Sequence, residues 1–437
     1  MLKMLKKFKS STGSNMDIIV SAKKIDFKEY DLPNGLHCIL YKDNKNPVVN
    51  VTVGYKVGSK DEEADKKGIA HLFEHLMFQG SANVPKNEHF NHVMKSGGVC
   101  NAFTMNDATV YYDMMPANNL ETALWLESDR MNSLDLTEEN LTNQKNVVIE
   151  EKKQVFDNAP YGTTVQNIFK NVFQGSGYET SVIGEAEDIR SFTVNEALNF
   201  HNSYYSPGNS VLLVSGDFEY PDAEKLISKY FGGIKKDSVI DRKKNNIKEL
   251  DKDIELEVYD NVQLPVLNLC YQIPKAGAPE TYAFEYLTEV LANNKSSRLY
   301  KKLVYEKQLV KSITAGKYIL EDKGILIISA MLNPGVSAEE IKNEIFSAIK
   351  ELGEYGCTDD EFQMIKNQIE FQNTFKYLKV QKISIETIFN YLYFKDISRI
   401  NDEIRKYLSV TKQDVINIVD KYMIKRNKLI LTYLPKK

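Results

Sequence analysis

Residues 46–59 read NPVVNVTVGYKVGS, in which Val49, Val51, Val53, Tyr55 and Val57 alternate with Asn50, Thr52, Gly54 and Lys56. A period of two predicts a β-strand with one face on a core and the other toward water. The stretch has an echo. Residues 264–275 read LPVLNLCYQIPK, and Pro47-Val-Val-Asn-Val51 aligns with Pro265-Val-Leu-Asn-Leu269 at an offset of 218, half of the 437-residue chain. Each block follows a shorter strand-like segment, Leu36–Tyr41 or Ile254–Tyr259, and precedes a helix-like one. The repeated order of elements points to a duplication. Neither half shows a regular βαβ alternation, so the expected class is α+β: two duplicated halves, each a largely antiparallel sheet packed with helices.

The boundary between the halves shows in the charge pattern. Residues 235–252 read KKDSVIDRKKNNIKELDK, 11 charged in 18, directly after Gly232-Gly233 and Ile234. A stretch that polar predicts a linker crossing the surface. The expected organisation is a basic solvated tail over 1–24, a first half over 25–234 that carries the chemistry, the linker over 235–252 and a second half over 253–437.

Composition narrows the function. With 42% hydrophobic and 27% charged residues the chain is that of a globular protein. Its longest apolar runs are four residues, such as Val211–Val214 and Ile325–Ile328, too short for a membrane-spanning helix. A net charge of −4 offers no basic excess for nucleic acid. Cys38, Cys100, Cys270 and Cys357 are scattered without CxxC spacing, which argues against a disulfide framework or an all-thiolate zinc site and for core residues in a reducing compartment. Lys3, Lys6, Lys7 and Lys9 resemble the basic start of a signal peptide, but no apolar stretch follows, so a cytoplasmic location is expected.

The stretch from Gly68 to Phe78, GIAHLFEHLMF, carries the chemistry. On a helix, His71 and His75 fall on one face, about 6 Å apart, so both imidazoles can converge on one ion. Glu74 lies beside the same ion, where a carboxylate can accept a proton from water without serving as a ligand. Chance gives roughly 0.006 such motifs in a chain with six histidines. The competing reading is a surface helix with two solvated histidines.

A zinc site also needs a third protein ligand, with a fourth position open for catalysis. The helix-like segment Thr137–Asn158 supplies candidates. Its expected apolar stripe runs Leu141, Val148 and Val155 with Val147 alongside, and Glu151 points inward with it. Glu150 lies farther round, while Glu138 and Glu139 suit the positive end of the helix dipole. A structural ion pair is the alternative role for Glu151.

His71-x-x-Glu74-His75 followed by Glu151 resembles the signature of the pitrilysin-type (inverzincin) zinc peptidases. Further matches are Gly97–Thr104 with Asp107 and Thr109–Tyr111, then Phe200–Asp217, then Ser296–Tyr300. Length and duplication resemble the short two-domain subfamily of the mitochondrial processing peptidase and its bacterial relatives. The resemblance implies a zinc metalloendopeptidase with one zinc per chain on His71, His75 and Glu151, and Glu74 as the catalytic base. It also implies an edge strand of Asn101, Ala102, Phe103 and Thr104 that receives an extended peptide as an added strand. Such recognition suits an edge, whose unpaired backbone groups bind any main chain.

Two features depart from the family pattern. Gln144 stands where a second glutamate is usual, and Val304 and Lys311 replace an Arg and a Tyr that hold substrate near the metal. Neighbouring Arg298 and Tyr305 read as packing or surface residues rather than replacements. The resemblance therefore implies the catalytic subunit of a heterodimer, its closed chamber completed by a homologous second chain that supplies the Arg/Tyr pair. A homodimer is the rival arrangement. A non-catalytic assembly or peptide-binding subunit that keeps a structural metal site is the alternative function.

Overall fold

A computed structural model describes residues 24–235, 242 and 245–436 of the chain. The basic start with Lys3, Lys6, Lys7 and Lys9 lies outside the described residues, as does much of the charged linker.

The first sheet contains β1 (Lys28–Asp31), β2 (His37–Lys42), β3 (Val48–Tyr55), β4 (Val99–Thr104), β5 (Thr109–Pro116) and β6 (Ser210–Gly216), in the order β1-β2-β6-β3-β5-β4. The second contains β7 (Ile254–Asp260), β8 (Val266–Ile273), β9 (Val310–Ile319), β10 (Gly324–Leu332) and β11 (Lys428–Pro435), in the order β7-β11-β8-β10-β9. Apart from β1 the sheets correspond strand for strand. Each has one parallel pair, β2 with β6 or β7 with β11, and is otherwise antiparallel. The repeated Pro-Val-x-Asn block enters the same central strand in each, β3 and β8. The α+β class and the two-half architecture expected from the sequence are both present.

β3 departs from the half-buried strand that its alternation predicts. β3 is buried on both faces, including Asn50 and Thr52 at 0% exposure. One face packs on a helix of its own half, Leu120–Asn132. The other receives the second-half helix Val380–Phe394, which lies against β3 and β6. A Cβ on Gly54 would stand 2.3 Å from Ile388 Cγ2, so a glycine is what lets that helix approach. Asn50 Nδ2 donates to Thr52 Oγ1 at 2.7 Å and the hydroxyls of Ser215 and Ser384 pair at 2.7 Å, whereas Asn50 Oδ1 is buried without a hydrogen-bond partner. Alternation predicts a wet face only while no other part of the chain covers it.

Charged groups join the halves at a second place. Lys60 pairs with Asp107 at 2.8 Å and with Glu321, which lies in the β9–β10 turn of the second half. Asp107 also accepts from Tyr178 at 2.6 Å and from Tyr393 at 3.1 Å. Arg242, within the sequence expected to cross the surface, bridges Asp61 and Glu321, its side chain only 17% exposed. Among the described residues no helix is long and apolar enough to cross a membrane.

Candidate metal centre and active site

The first half contains the helices α1 (Ile69–Leu76), α2 (Glu88–Lys95), α3 (Leu120–Asn132) and α4 (Glu138–Lys152), of which α1 and α4 carry the site. α1 starts from Gly68 at φ 102°, where an added Cβ would lie 2.7 Å from the Ile183 carbonyl oxygen. Glycine has no side chain to cap the helix. The buried Glu62 carboxylate does so instead, accepting from Gly68 N at 2.9 Å and Ala70 N at 2.8 Å. Ile69, Ala70, Leu72, Phe73 and Leu76 face the core, which leaves His71, Glu74 and His75 together on the opposite side.

α4 packs across α1 and brings Glu151 to the histidines. Thr137 caps it through Oγ1, which accepts from Asn140 N at 3.2 Å. The stripe expected from the sequence needs correction: Leu141 and Val148 are buried, but Val147 and Val155 are 48% and 51% exposed. The buried positions are Asn140, Leu141, Gln144, Lys145, Val148, Ile149 and Lys152. Two lysines on that list mislead an apolar count. Lys145 Nζ donates to the Arg190 carbonyl and Lys152 pairs with Asp157, so their stems lie buried while their charges find partners. Glu151 sits at the rim of this stripe, 36% exposed, rather than within it. Glu150 points away and pairs with Lys153, and Glu138 and Glu139 occupy the first turn.

Glu151 Oε2 lies 3.2 Å from His75 Nε2, and Oε1 lies 3.9 Å from His71 Nε2. One donor atom from each of the three residues falls within 4.8 Å of the others. Two imidazoles and a carboxylate form a donor set that suits zinc, with a position left over. The electrostatics agree with the fit. Burial, reinforced by neighbouring His75, pushes His71 down to about 4, which keeps its imidazole neutral, the form a metal would take. The hydrogen bond from His75 holds Glu151 below the usual carboxylate range. His71 Nδ1 is buried without a hydrogen-bond partner.

Glu74 stands beside this trio and outside it. Its Oε2 accepts from Thr104 Oγ1 at 2.7 Å. Burial raises its pKa, while Thr104 and His75 pull the other way. Thr104 is the last residue of β4, which pairs only with β5 and so forms the sheet edge beside α1. Along β4, Asn101 is exposed, Ala102 is buried, and Phe103 stacks on Phe389 of the second half at 6.3 Å. All four expected strand residues thus lie on the edge nearest the histidines. The contact between Thr104 and Glu74 was not legible in the sequence, where 30 residues separate them. Nor was a cavity of about 260 Å³ next to Thr104, walled by Phe156, Phe169, Tyr318 and Leu320 from both halves.

Val304 packs against the second-half core, and Lys311 is exposed on β9. Arg298 is held by Glu361 through bonds of 2.9 and 2.8 Å, and Tyr305 is 78% exposed, so both are packing and surface residues as expected.

Two family models match the chain: Insulinase (Peptidase family M16) over residues 38–186 and Peptidase M16 inactive domain over residues 191–369. The chain belongs to peptidase family M16. The first match spans His71, Glu74, His75 and Glu151. Among relatives, the zinc protease PqqE of Helicobacter pylori is 31% identical over 401 residues, 90% of this chain and 89% of that protein. A probable mitochondrial-processing peptidase subunit beta of Schizosaccharomyces pombe is 25% identical over 46% of this chain and 44% of its own length. The crystal structure of a protease from Helicobacter pylori superposes with a TM-score of 0.87 at 28% identity, covering 94% of this chain and all of that one. The periplasmic protease PqqL of Escherichia coli shares the fold, with a TM-score of 0.79 at 18% identity over 48% of its length. This M16 chain is of the short, two-domain kind.

Proposed function

We propose that this chain is a zinc metalloendopeptidase that cleaves peptides bound in extended conformation. The observation that carries the reading is the convergence of His71, His75 and Glu151, with Glu74 beside them and outside the ligand set. His71, His75 and Glu151 would hold one zinc ion. When bound, zinc supplies Lewis acidity toward the scissile carbonyl and the attacking water.

The remaining roles fall to the protein's own groups. The open edge of β4, from Asn101 to Thr104, pairs with the substrate main chain and lays it past Glu74. Glu74 takes the proton from the attacking water and returns it to the leaving amine. Thr104 fixes the carboxylate that does so. A ligand set alone could serve stability, but a purely structural metal has no use for Glu74.

A second, homologous chain completes the site in this proposal. Val304 cannot donate to a substrate carbonyl, and Lys311 lacks the phenol that could steady a tetrahedral oxyanion, so the Arg/Tyr pair comes from the partner in a closed chamber. In this proposal the chain works in the cytoplasm, whereas one structural neighbour is a periplasmic protease.

Glu74→Gln is the direct test. It should retain zinc while hydrolysis of a quenched peptide falls by roughly 100-fold or more. Near-normal turnover in the zinc-replete variant would remove the mechanism. Zinc-replete wild type that is inactive both alone and with its co-purifying chain would favour the non-catalytic subunit. Full activity of the isolated chain, unchanged by Lys311→Ala, would defeat the shared site.

A further inference from the structure

A second group of metal-type donors lies apart from the first, behind the edge strand. His89 on α2, Cys100 on β4 and Asp113 on β5 each place a donor atom within 4.8 Å of the others. Cys100 and Asp113 are directly opposite in the β4–β5 ladder, so both side chains project to the same face of the sheet. His89 comes down from the helix that covers that face, with Nε2 3.2 Å from Asp113 Oδ1. Donors on a tetrahedral ion at 2.0–2.3 Å lie roughly 3.3–3.7 Å apart, so the widest gap in the group must close by about 1 Å on binding.

The surroundings supply an independent reason for an ion. Asp113 is 0% exposed and His89 is 4% exposed. The second oxygen of the carboxylate, Asp113 Oδ2, is buried without a hydrogen-bond partner. A buried carboxylate with an idle oxygen is costly unless a cation or donor meets it. The nearby cation, Arg130, is fully buried and bonds Glu127 through Nε at 2.9 Å and through Nη2, while its Nη1 is itself buried without a hydrogen-bond partner. Asp113, Cys100 and Glu127 therefore share the single positive charge of Arg130, which acts on Asp113 and Cys100 through space.

We infer that His89, Cys100 and Asp113 form a second metal site, taking a divalent ion of the zinc class through nitrogen, sulfur and oxygen. On binding, the Cys100 thiol proton leaves to solvent as the metal–sulfur bond forms. The divalent ion then meets the Cys100 thiolate and Asp113, beside the Arg130–Glu127 pair, in which burial pushes the Glu127 carboxyl up to about 8. The ion ties α2 to the hairpin whose outer strand ends at Thr104, so its role is to hold that edge rather than to react. The site does not depend on the catalytic reading, because none of its ligands belongs to the first centre. Motif spacing could not show it: a lone thiolate in a mixed donor set leaves no CxxC.

The two centres differ in sulfur, which makes the test specific. The full chain is stripped of metal under reducing conditions and loaded with cobalt(II). The wild type should show a near-ultraviolet thiolate-to-cobalt charge-transfer band that survives Glu151→Gln and Cys357→Ser and is lost in Cys100→Ser. His89→Gln should weaken the band without removing the cysteine. Zinc after dialysis should fall from two equivalents per chain to one in Cys100→Ser, with circular dichroism confirming that the variant is folded. A wild type without the band, or a band that persists in Cys100→Ser, overturns the proposal. So does a single zinc equivalent that Glu151→Gln abolishes.

Discussion

Replacing Glu151 by Gln, with Glu150→Gln as its control, separates a metal ligand from its sequence neighbour. In the structure the Glu151 oxygens stand 3.9 and 3.2 Å from the Nε2 atoms of His71 and His75, and Gln would keep the shape while removing the charge. Loss of an outer partner of a ligand typically costs roughly 10–100-fold in metal affinity. Loss of a carboxylate ligand should then cost roughly 100-fold at the least, or about 2.7 kcal/mol. Glu150 is different: its side chain is 59% exposed and engages Lys153 three residues on. A surface pair of that kind contributes about 0.2–1 kcal/mol, so Glu150→Gln should change zinc affinity by less than roughly fivefold. The assay is competition for zinc against a chromophoric chelator at fixed pH. Equal losses from the two variants, or a larger loss from Glu150→Gln, would refute the assignment of the third ligand.

Thr104→Val should leave zinc content intact and lower kcat by roughly tenfold or more, since a hydrogen bond to a charged carboxylate is worth about 1.5–3 kcal/mol; unchanged kcat would show that Thr104 does not hold Glu74 in the working state. The contact between the halves should be acid-sensitive. Burial opposes the charge on Glu321, but the charges of Lys60 and Arg242 and hydrogen bonds from Lys60 and Lys56 hold its pKa at about 2 against an ordinary 4.5. A folded-state pKa below the unfolded one gives stability that is complete above about pH 4.5 and lost as pH falls through about 2. The deficit of Glu321→Gln in urea unfolding should thus be about 3 kcal/mol at neutral pH and shrink in acid; a deficit that does not change with pH would contradict the ion-pair account.

The helix that carries His71, Glu74 and His75 was legible because its information is local. His71 and His75 are four apart, and the geometry of a helix places them together whatever surrounds it. The duplication was legible for a related reason, since Pro47–Val51 and Pro265–Leu269 repeat the same strand pattern. Glu151 was found with the wrong stripe. Val155 looks like a core residue in the sequence and is half exposed, whereas Lys145 and Lys152 look like surface residues and have buried stems. Burial of a long cationic side chain depends on where its charge finds a partner, and neither Arg190 O nor Asp157 can be identified from the helix alone.

The sequence by itself determined the strand and helix periods, the repeat of one half in the other, and the presence of His71, Glu74 and His75 on one helical face. Only the tertiary structure decided what lies opposite each face. It covered Asn50 and Thr52 with a helix more than 300 residues away in the chain and capped α1 with Glu62. It also set Thr104 against Glu74 and gathered His89, Cys100 and Asp113 from three separate elements. Backbone geometry fixes relations between residues a few positions apart. Contacts between distant segments are fixed by how whole elements pack, and that depends on every surface they bury together.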